Sequence, residues 1–234
     1  MVTVTDPKLI VHAGSEAEAV VLVLHGGREA STAPTRANQL AVIRMLPFAA
    51  KLRQHGGNRV AVARLRYRVR GWNASPGHTP DPVRDADWAL DELGRRFPGL
   101  PIGLIGHSMG GRTALRVGGR AVAVAGLAPW LDRTDPVEQL TDTRVLLMHG
   151  TDDRMTSPRQ TAGFTERLAA TGLEPSLVLL TGEKHAMLHK PRLWHELSTQ
   201  FVLSSVLDGY EPSDWPSAPN DWQHVVQATA RITY

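Results

Sequence analysis

The apolar positions of this chain change period along its length, and the changes mark out its elements. Residues 8–12 and 19–24 are apolar and β-branched with Gly14-Ser15-Glu16 between them, a pattern that predicts a hairpin leading into the first central strand, which ends at His25-Gly26-Gly27. Between residues 35 and 55 the apolar positions Leu40, Ile43, Leu46, Ala50 and Leu52 fall near helical spacing. Pro47 inside that run should kink or split the helix, and Gly56-Gly57 closes it. A strand is predicted over 59–65, then a loop rich in Gly, Pro and Trp through Pro80, then a helix over 82–97. Ile102 to Ile105 form a short apolar run that turns at Ser108 into a helix beginning near Gly110 and stopping at Gly118-Gly119. Further strands are predicted at 121–127, 144–148 and 176–180, with helices near 158–170 and 191–206.

Strands alternating with helices predict an α/β fold: a mostly parallel central sheet with helices on both faces. No repeat or linker interrupts the pattern, so residues 1–207 read as a single domain. The segment 208–234 differs, because it holds Pro212, Pro216, Pro219, Trp215 and Trp222 with little periodicity. It is expected to dock on the domain or on a partner chain, in the latter case as a homo-oligomer, since two tryptophans are costly to leave in water.

Composition narrows the chemistry. The absence of cysteine excludes disulfides, thiolate metal sites and a cysteine nucleophile. A formal net charge of +3 comes from basic residues scattered among acidic ones, so the electrostatic footprint of a nucleic-acid binder is missing. No apolar run approaches a membrane span, and the first residues lack the basic head and apolar core of a signal peptide. The expected compartment is the cytoplasm, with no membrane partner.

Gly106-x-Ser108-x-Gly110, between an apolar strand and a helix, is the pattern of a nucleophile elbow, where a serine at a strained corner presents its hydroxyl above the sheet. An alkyl hydroxyl needs a base and a group that orients the base. Past the strand at 144–148 comes His149-Gly150-Thr151-Asp152-Asp153-Arg154, and past the strand at 176–180 comes Thr181-Gly182-Glu183-Lys184-His185, with His189 further on. Both stretches lie at strand ends, where open parallel sheets bind ligands, so an acid (Asp152 or Asp153) and a histidine (His185 or His189) can converge on Ser108. The same residues could ligate a metal, but a serine elbow accounts for them without one, and neither metal nor cofactor is expected.

His25-Gly26-Gly27, Gly106-His107-Ser108-Met109-Gly110-Gly111, His149-Gly150-Thr151-Asp152-Asp153 and His185, in that order and between those strands, resemble the α/β-hydrolase family over roughly residues 8–206. The resemblance implies Ser108 as nucleophile, His185 as base and then acid, and Asp153 as the residue orienting His185. It also implies an oxyanion hole from the backbone N–H of Met109 with that of Gly27, or of Arg28 if the loop is shifted by one. His25 and His149 are expected to pin loops, and His107 to pack in the elbow. Arg28, Trp72, Trp130 and Met187 are candidates for the substrate pocket. Arg64, Arg66, Arg68 and Arg70 are expected to pair with Asp81, Asp85 and Asp87, the alternative being a grip on a carboxylate of the substrate.

The family implies a cofactor-independent serine hydrolase acting on a small carboxylic ester, thioester or lactone through an acyl-enzyme. A triad-bearing small-molecule receptor, a peptidase and a cofactor-free haloperoxidase-like enzyme are the alternatives on the same scaffold. The stretch 128–143 is too short for a cap of several helices, which points to an open site.

Overall fold

The computed structural model describes residues 6–211 and 225–227. Its strands are β1 (Lys8–His12), β2 (Ala19–Leu24), β3 (Val60–Arg66), β4 (Ile102–His107), β5 (Ala123–Leu127), β6 (Arg144–Gly150), β7 (Ser176–Leu180) and β8 (Val225–Gln227). They form one sheet in the order β1-β3-β2-β4-β5-β6-β7-β8. The six strands from β3 to β7 run parallel, and β1 and β8 close the two edges antiparallel. This is the α/β-hydrolase fold expected from the sequence.

The hairpin expected from β1 and β2 does not form: β1 pairs with β3, His12 lying opposite Val62. The reason lies in burial and in the intervening loop. Every residue of β2 is buried, so β2 needs a neighbour on each side, whereas β1 is half-exposed and suits an edge. The connection crosses under the start of β3, where Glu16 N–H donates to Asn58 O and Glu18 N–H to Arg59 O.

Helices α1 (Leu40–Ile43), α2 (Leu46–Gly56), α3 (Asp81–Arg96), α4 (Met109–Arg116), α5 (Pro158–Ala169) and α6 (Pro191–Val206) cover the sheet. Pro47 splits the helical stretch as expected and sits in the first turn of α2, where its missing N–H costs nothing. Residues 35–39, predicted helical, instead belong to a loop laced to residues 68–73, with Thr35 N–H donating to Arg68 O and Arg70 N–H to Ala33 O. Strand alternation divides the core. Val20, Leu22 and Leu24 face a cluster with α3, α4 and α5, while Ala19, Val21 and Val23 face one with α2 and α6.

Of the C-terminal segment, Val225–Gln227 pair with β7. Trp215 and Trp222, on which the docking expectation rests, lie outside the described residues. Among the described residues no helix is long and apolar enough to cross a membrane.

Candidate active site

Ser108 stands between β4 and α4 at φ 56°, ψ −119°, a conformation that costs a residue with a Cβ on the order of 1–3 kcal/mol. The surroundings hold it there. Ser108 N–H donates to Leu127 O at 2.9 Å, and Ser108 O accepts from Arg112 N–H and Trp130 N–H, both at 3.1 Å. The glycine spacing has a direct steric cause: a Cβ on Gly106 would strike the backbone of Gly110, and one on Gly110 would lie 2.5 Å from Leu24 O. Only glycine lets α4 start against the end of β2.

That close approach brings the loop after β2 beside the serine. A Cβ on Gly26 would sit 3.3 Å from Ser108 Cβ, and one on Gly27 would lie 2.5 Å from both Arg70 O and Met109 Sδ. Arg28 N–H is committed to Arg70 O at 2.8 Å, which removes the shifted alternative for an oxyanion donor. Among the described residues the N–H groups of Gly27 and Met109 have no protein acceptor. Met109 opens a helix, so its N–H is one of the unsatisfied donors of a helix N-terminus.

On the other side of the elbow, Asp153 is surrounded by donors. Its Oδ1 accepts from Met155 N–H at 2.8 Å and Thr156 N–H at 3.0 Å. Its Oδ2 accepts from Thr156 Oγ1 at 2.8 Å and from His185 Nδ1 at 2.8 Å, and His149 Nε2 lies 3.2 Å away. Burial pushes this carboxyl up, but the hydrogen bonds from His149, His185 and Thr156 outweigh it and hold the group well below the usual carboxylate range. With Nδ1–H committed to Asp153, His185 keeps its lone pair on Nε2.

The neighbours between which the sequence left a choice differ in burial and contact. Asp152 is exposed, its carboxylate accepting from Thr151 Oγ1 at 3.2 Å and its N–H donating to Glu183 O at 3.0 Å. His189 is 58 % exposed and bonds Gly182 O through Nδ1, so it stays outside the cluster. His25 is buried and pinned by Tyr67 N–H and Gly26 O, and burial drives its pKa down to about 4. His149 bonds Thr161 Oγ1 through Nδ1 at 2.8 Å, pinning its loop to α5. His107 Nε2–H donates to His185 O at 3.0 Å, and the two rings stand 4.7 Å apart. Burial first, then the charges of His185 and Arg44, hold His107 well below the usual imidazole range, so it is neutral.

Two pocket candidates turn out to be core residues. Trp72 is 4 % exposed, with the Arg112 guanidinium over its ring at 4.6 Å and Trp130 edge-on at 6.2 Å. Met187 is 3 % exposed in the opposite cluster. Bulky apolar side chains beside a sheet are drawn under its covering helices, which leaves half-buried Trp130 and exposed Arg28 with surface to offer. Of the arginine stripe, Arg68 alone pairs as expected among the described residues, with Asp85 at 2.5 Å and Asp81 at 3.4 Å, while Asp87 goes to Arg120.

The sequence reading missed Thr156, whose hydroxyl lies within 3.3 Å of Asp153, His149, His185 and Ala128 O. Its signal is a threonine three residues past an acid at a loop start, where the acid's side chain caps the turn. A cavity of about 830 Å³ lies at the other end of β6 and β7, lined by Arg144, Glu174, Ser176 and Phe201, and does not touch these residues. Among the described residues no three His, Asp or Glu side chains are grouped to hold a metal.

The sequence model of the Alpha/beta hydrolase family matches residues 20–231. The chain belongs to that family. Among solved structures, Est1E from Butyrivibrio proteoclasticus is similar at a TM-score of 0.63 and 15 % identity, covering 86 % of this chain and 94 % of its own. An α/β serine hydrolase without lid from Xanthomonas campestris is similar at 0.61 and 18 %, covering 89 % and 93 %. An alpha-beta serine hydrolase homologue from Coxiella burnetii is similar at 0.61 and 15 %, covering 84 % and 91 %. No curated protein matches in sequence. At these identities the likeness speaks for the fold of this chain, and its chemistry must be argued from its own residues.

Proposed function

We propose that this hydrolase cleaves a small carboxylic ester through an acyl-enzyme on Ser108, without a cofactor. The observation that carries the reading is the buried Asp153–His185 hydrogen bond, tied to the elbow because His107, the residue before a serine in a strained strand-to-helix corner, donates to His185 O. In the proposed reaction Nε2 of His185 takes the proton of Ser108 Oγ as Oγ attacks the ester carbonyl carbon. The oxyanion receives the free N–H groups of Gly27 and Met109. Collapse of the tetrahedral adduct breaks the bond to the alcohol oxygen, and His185 returns the proton to the departing alcohol. Water then repeats the sequence on the acyl-enzyme, with His185 as base, releasing the acid and restoring Ser108. Asp153 fixes the tautomer of His185 and stabilises the imidazolium that forms.

Support for a small substrate comes from the stretch between β5 and β6. It holds a single 3₁₀ turn, Glu138–Leu140, and the Xanthomonas relative is likewise described as lacking a lid. The test is turnover of 4-nitrophenyl acetate and labelling by a fluorophosphonate probe, in the parent and in Ser108→Ala. The expected result is burst kinetics and labelling in the parent, with kcat lowered by about 10⁴ to 10⁶ in the variant and no label. Activity in Ser108→Ala within tenfold of the parent would sink the assignment. Single or absent turnover with a labelled serine would favour a receptor.

A further inference from the structure

Glu183 lies in the loop between β7 and α6, two residues before His185, and its side chain is fully buried. Nothing in the proposed reaction uses it. Its Oε2 accepts from Nε1–H of Trp194, itself fully buried in α6, at 2.9 Å. Oε1 has no hydrogen-bond partner among the described residues, and Nδ1 of His189 stands 4.0 Å from it. A carboxyl taken out of water with one oxygen unpaired costs stability, so its place calls for a reason other than packing.

The backbone of the same residue joins the loop that carries His185 to the loop that carries Asp153. Glu183 O accepts at 3.0 Å from the N–H of Asp152, one residue before Asp153, and Glu183 N–H donates to Leu180 O, at the end of β7, at 3.2 Å. A Cβ on Gly150, the last residue of β6, would strike Glu183 O, so it is a glycine that lets the two loops touch. From there the bond to Trp194 carries the connection into α6, which packs against β4, β5 and β6. The loop also needs holding. Met187, two residues past His185, has a φ of 58°, a conformation that persists in a residue with a Cβ only where the surroundings impose it.

We propose that Glu183 is a positioning residue, which sets His185 against Asp153 by fastening both of their loops to α6 through Trp194. The inference rests on the ester-hydrolase reading of the site and adds to it a residue that acts through His185 and Asp153. Proton transfer between Ser108 and His185 depends on the imidazole staying where the Asp153 hydrogen bond puts it, and a displacement on the order of 1 Å costs about a hundredfold in rate. Without the Glu183 side chain, the buried indole N–H of Trp194 loses its acceptor and the two loops lose their tie to the helix.

The experiment measures kcat and KM for 4-nitrophenyl acetate, with uncatalysed rates subtracted, in the parent, Glu183→Ala, Glu183→Gln and Trp194→Phe. It repeats Glu183→Ala in an Asp153→Asn background, and folding of each variant is checked by near-ultraviolet circular dichroism. The expected result is that Glu183→Ala lowers kcat by about ten- to a hundredfold with little change in KM. Glu183→Gln, which keeps an acceptor for Trp194, recovers most of the loss, and Trp194→Phe, which removes the donor and keeps an aromatic ring, shows a loss like that of Glu183→Ala. In the Asp153→Asn background the alanine costs little further, because a residue that acts through the Asp153–His185 pair has nothing left to hold there. A kcat within about threefold of the parent in folded Glu183→Ala, or an equal loss in the two backgrounds, overturns the positioning role and leaves the hydrolase reading standing. If Glu183→Ala does not fold, a parent-like kcat in Trp194→Phe overturns it in the same way. If the parent neither turns over the ester nor takes up a fluorophosphonate on Ser108, the hydrolase reading falls and the positioning role falls with it.

Discussion

Nδ1 of His185 lies 2.8 Å from Oδ2 of Asp153, across 32 residues of sequence and the ends of two adjacent strands. The bond is one of five that converge on this carboxylate, and its partners make different demands on it. Asp153→Asn places an amide where His185 requires an acceptor and forces the wrong tautomer, so kcat should fall by about 10⁴. Asp152→Asn changes an exposed side chain outside the cluster and should leave kcat within about threefold, as exposed charges contribute little. Steady-state kinetics on both variants decides the matter. A collapse in Asp152→Asn with a mild Asp153→Asn would transfer the role.

Thr156→Val tests the hydroxyl that the sequence reading overlooked. It removes one donor to Asp153 and leaves the valine methyls against the polar edges of His149 and His185. Loss of a hydrogen bond to a charged group should lower kcat by about tenfold or more, with little change in KM because the hydroxyl is buried against Asp153, His149 and His185. A KM effect alone would show that Thr156 contacts substrate instead.

What was legible in the sequence follows from what spacing can encode. Gly106 and Gly110 record a close approach of backbones, which is local, so the elbow could be placed from residues alone. The strand at 176–180 was equally plain, because a short apolar run bounded by turn residues has few other readings. Pairing was not legible: the apolar run Leu9-Ile10-Val11 says that residues 8–12 form a strand, and it is silent on whether β2 or β3 lies alongside. The choice between Asp152 and Asp153 rested on resemblance, since adjacent residues differ by which way the loop turns. Whether Trp72 lines a pocket or anchors the core was not legible either, because its setting depends on Arg112, forty residues away.

The buried histidines give the fold a pH dependence. His25 titrates at about 4 in the folded protein against 6.5 when unfolded, so the unfolded chain binds its proton first as pH falls. Its contribution is fully present above pH 6.5 and is lost between there and pH 4, at about 3 kcal/mol for such a shift. His107 acts in the same direction, and Asp153, also depressed, adds a second loss below its unfolded value of 3.8. Urea unfolding at pH 7.5, 6.5, 5.5 and 4.5 should therefore show a plateau followed by a decline, and His25→Asn should reduce the slope. A parent curve flat down to pH 4.5 would mean that the buried rings are not held neutral.

The proposed preference for short substrates rests on a segment that is tied down. Between β5 and β6, Leu131, Val137 and Leu140 turn into the core on the α4 side. Asp135, itself buried, anchors the segment: its carboxylate accepts from Arg112 Nε at 2.9 Å and lies 3.5 Å from Arg116, and its backbone O accepts from Arg167 at 2.8 Å. A segment held in this way cannot rise over Ser108 as a cap, and the side chain it carries beside the elbow, Trp130, whose N–H donates to Ser108 O, is itself half-buried. A long acyl chain would leave its distal carbons in water. Each CH₂ buried is worth about 0.8 kcal/mol, so carbons that stay wet add nothing to kcat/KM. The expected preference is for acyl groups of about four carbons or fewer, with no activation at a lipid interface. A series of 4-nitrophenyl esters from acetate to palmitate, assayed below their solubility limits, measures it. A maximum at octanoate or longer would require an apolar tunnel beside Ser108, and the anchored segment from Pro129 to Thr143 would then have to move away from Arg112 to make room for it.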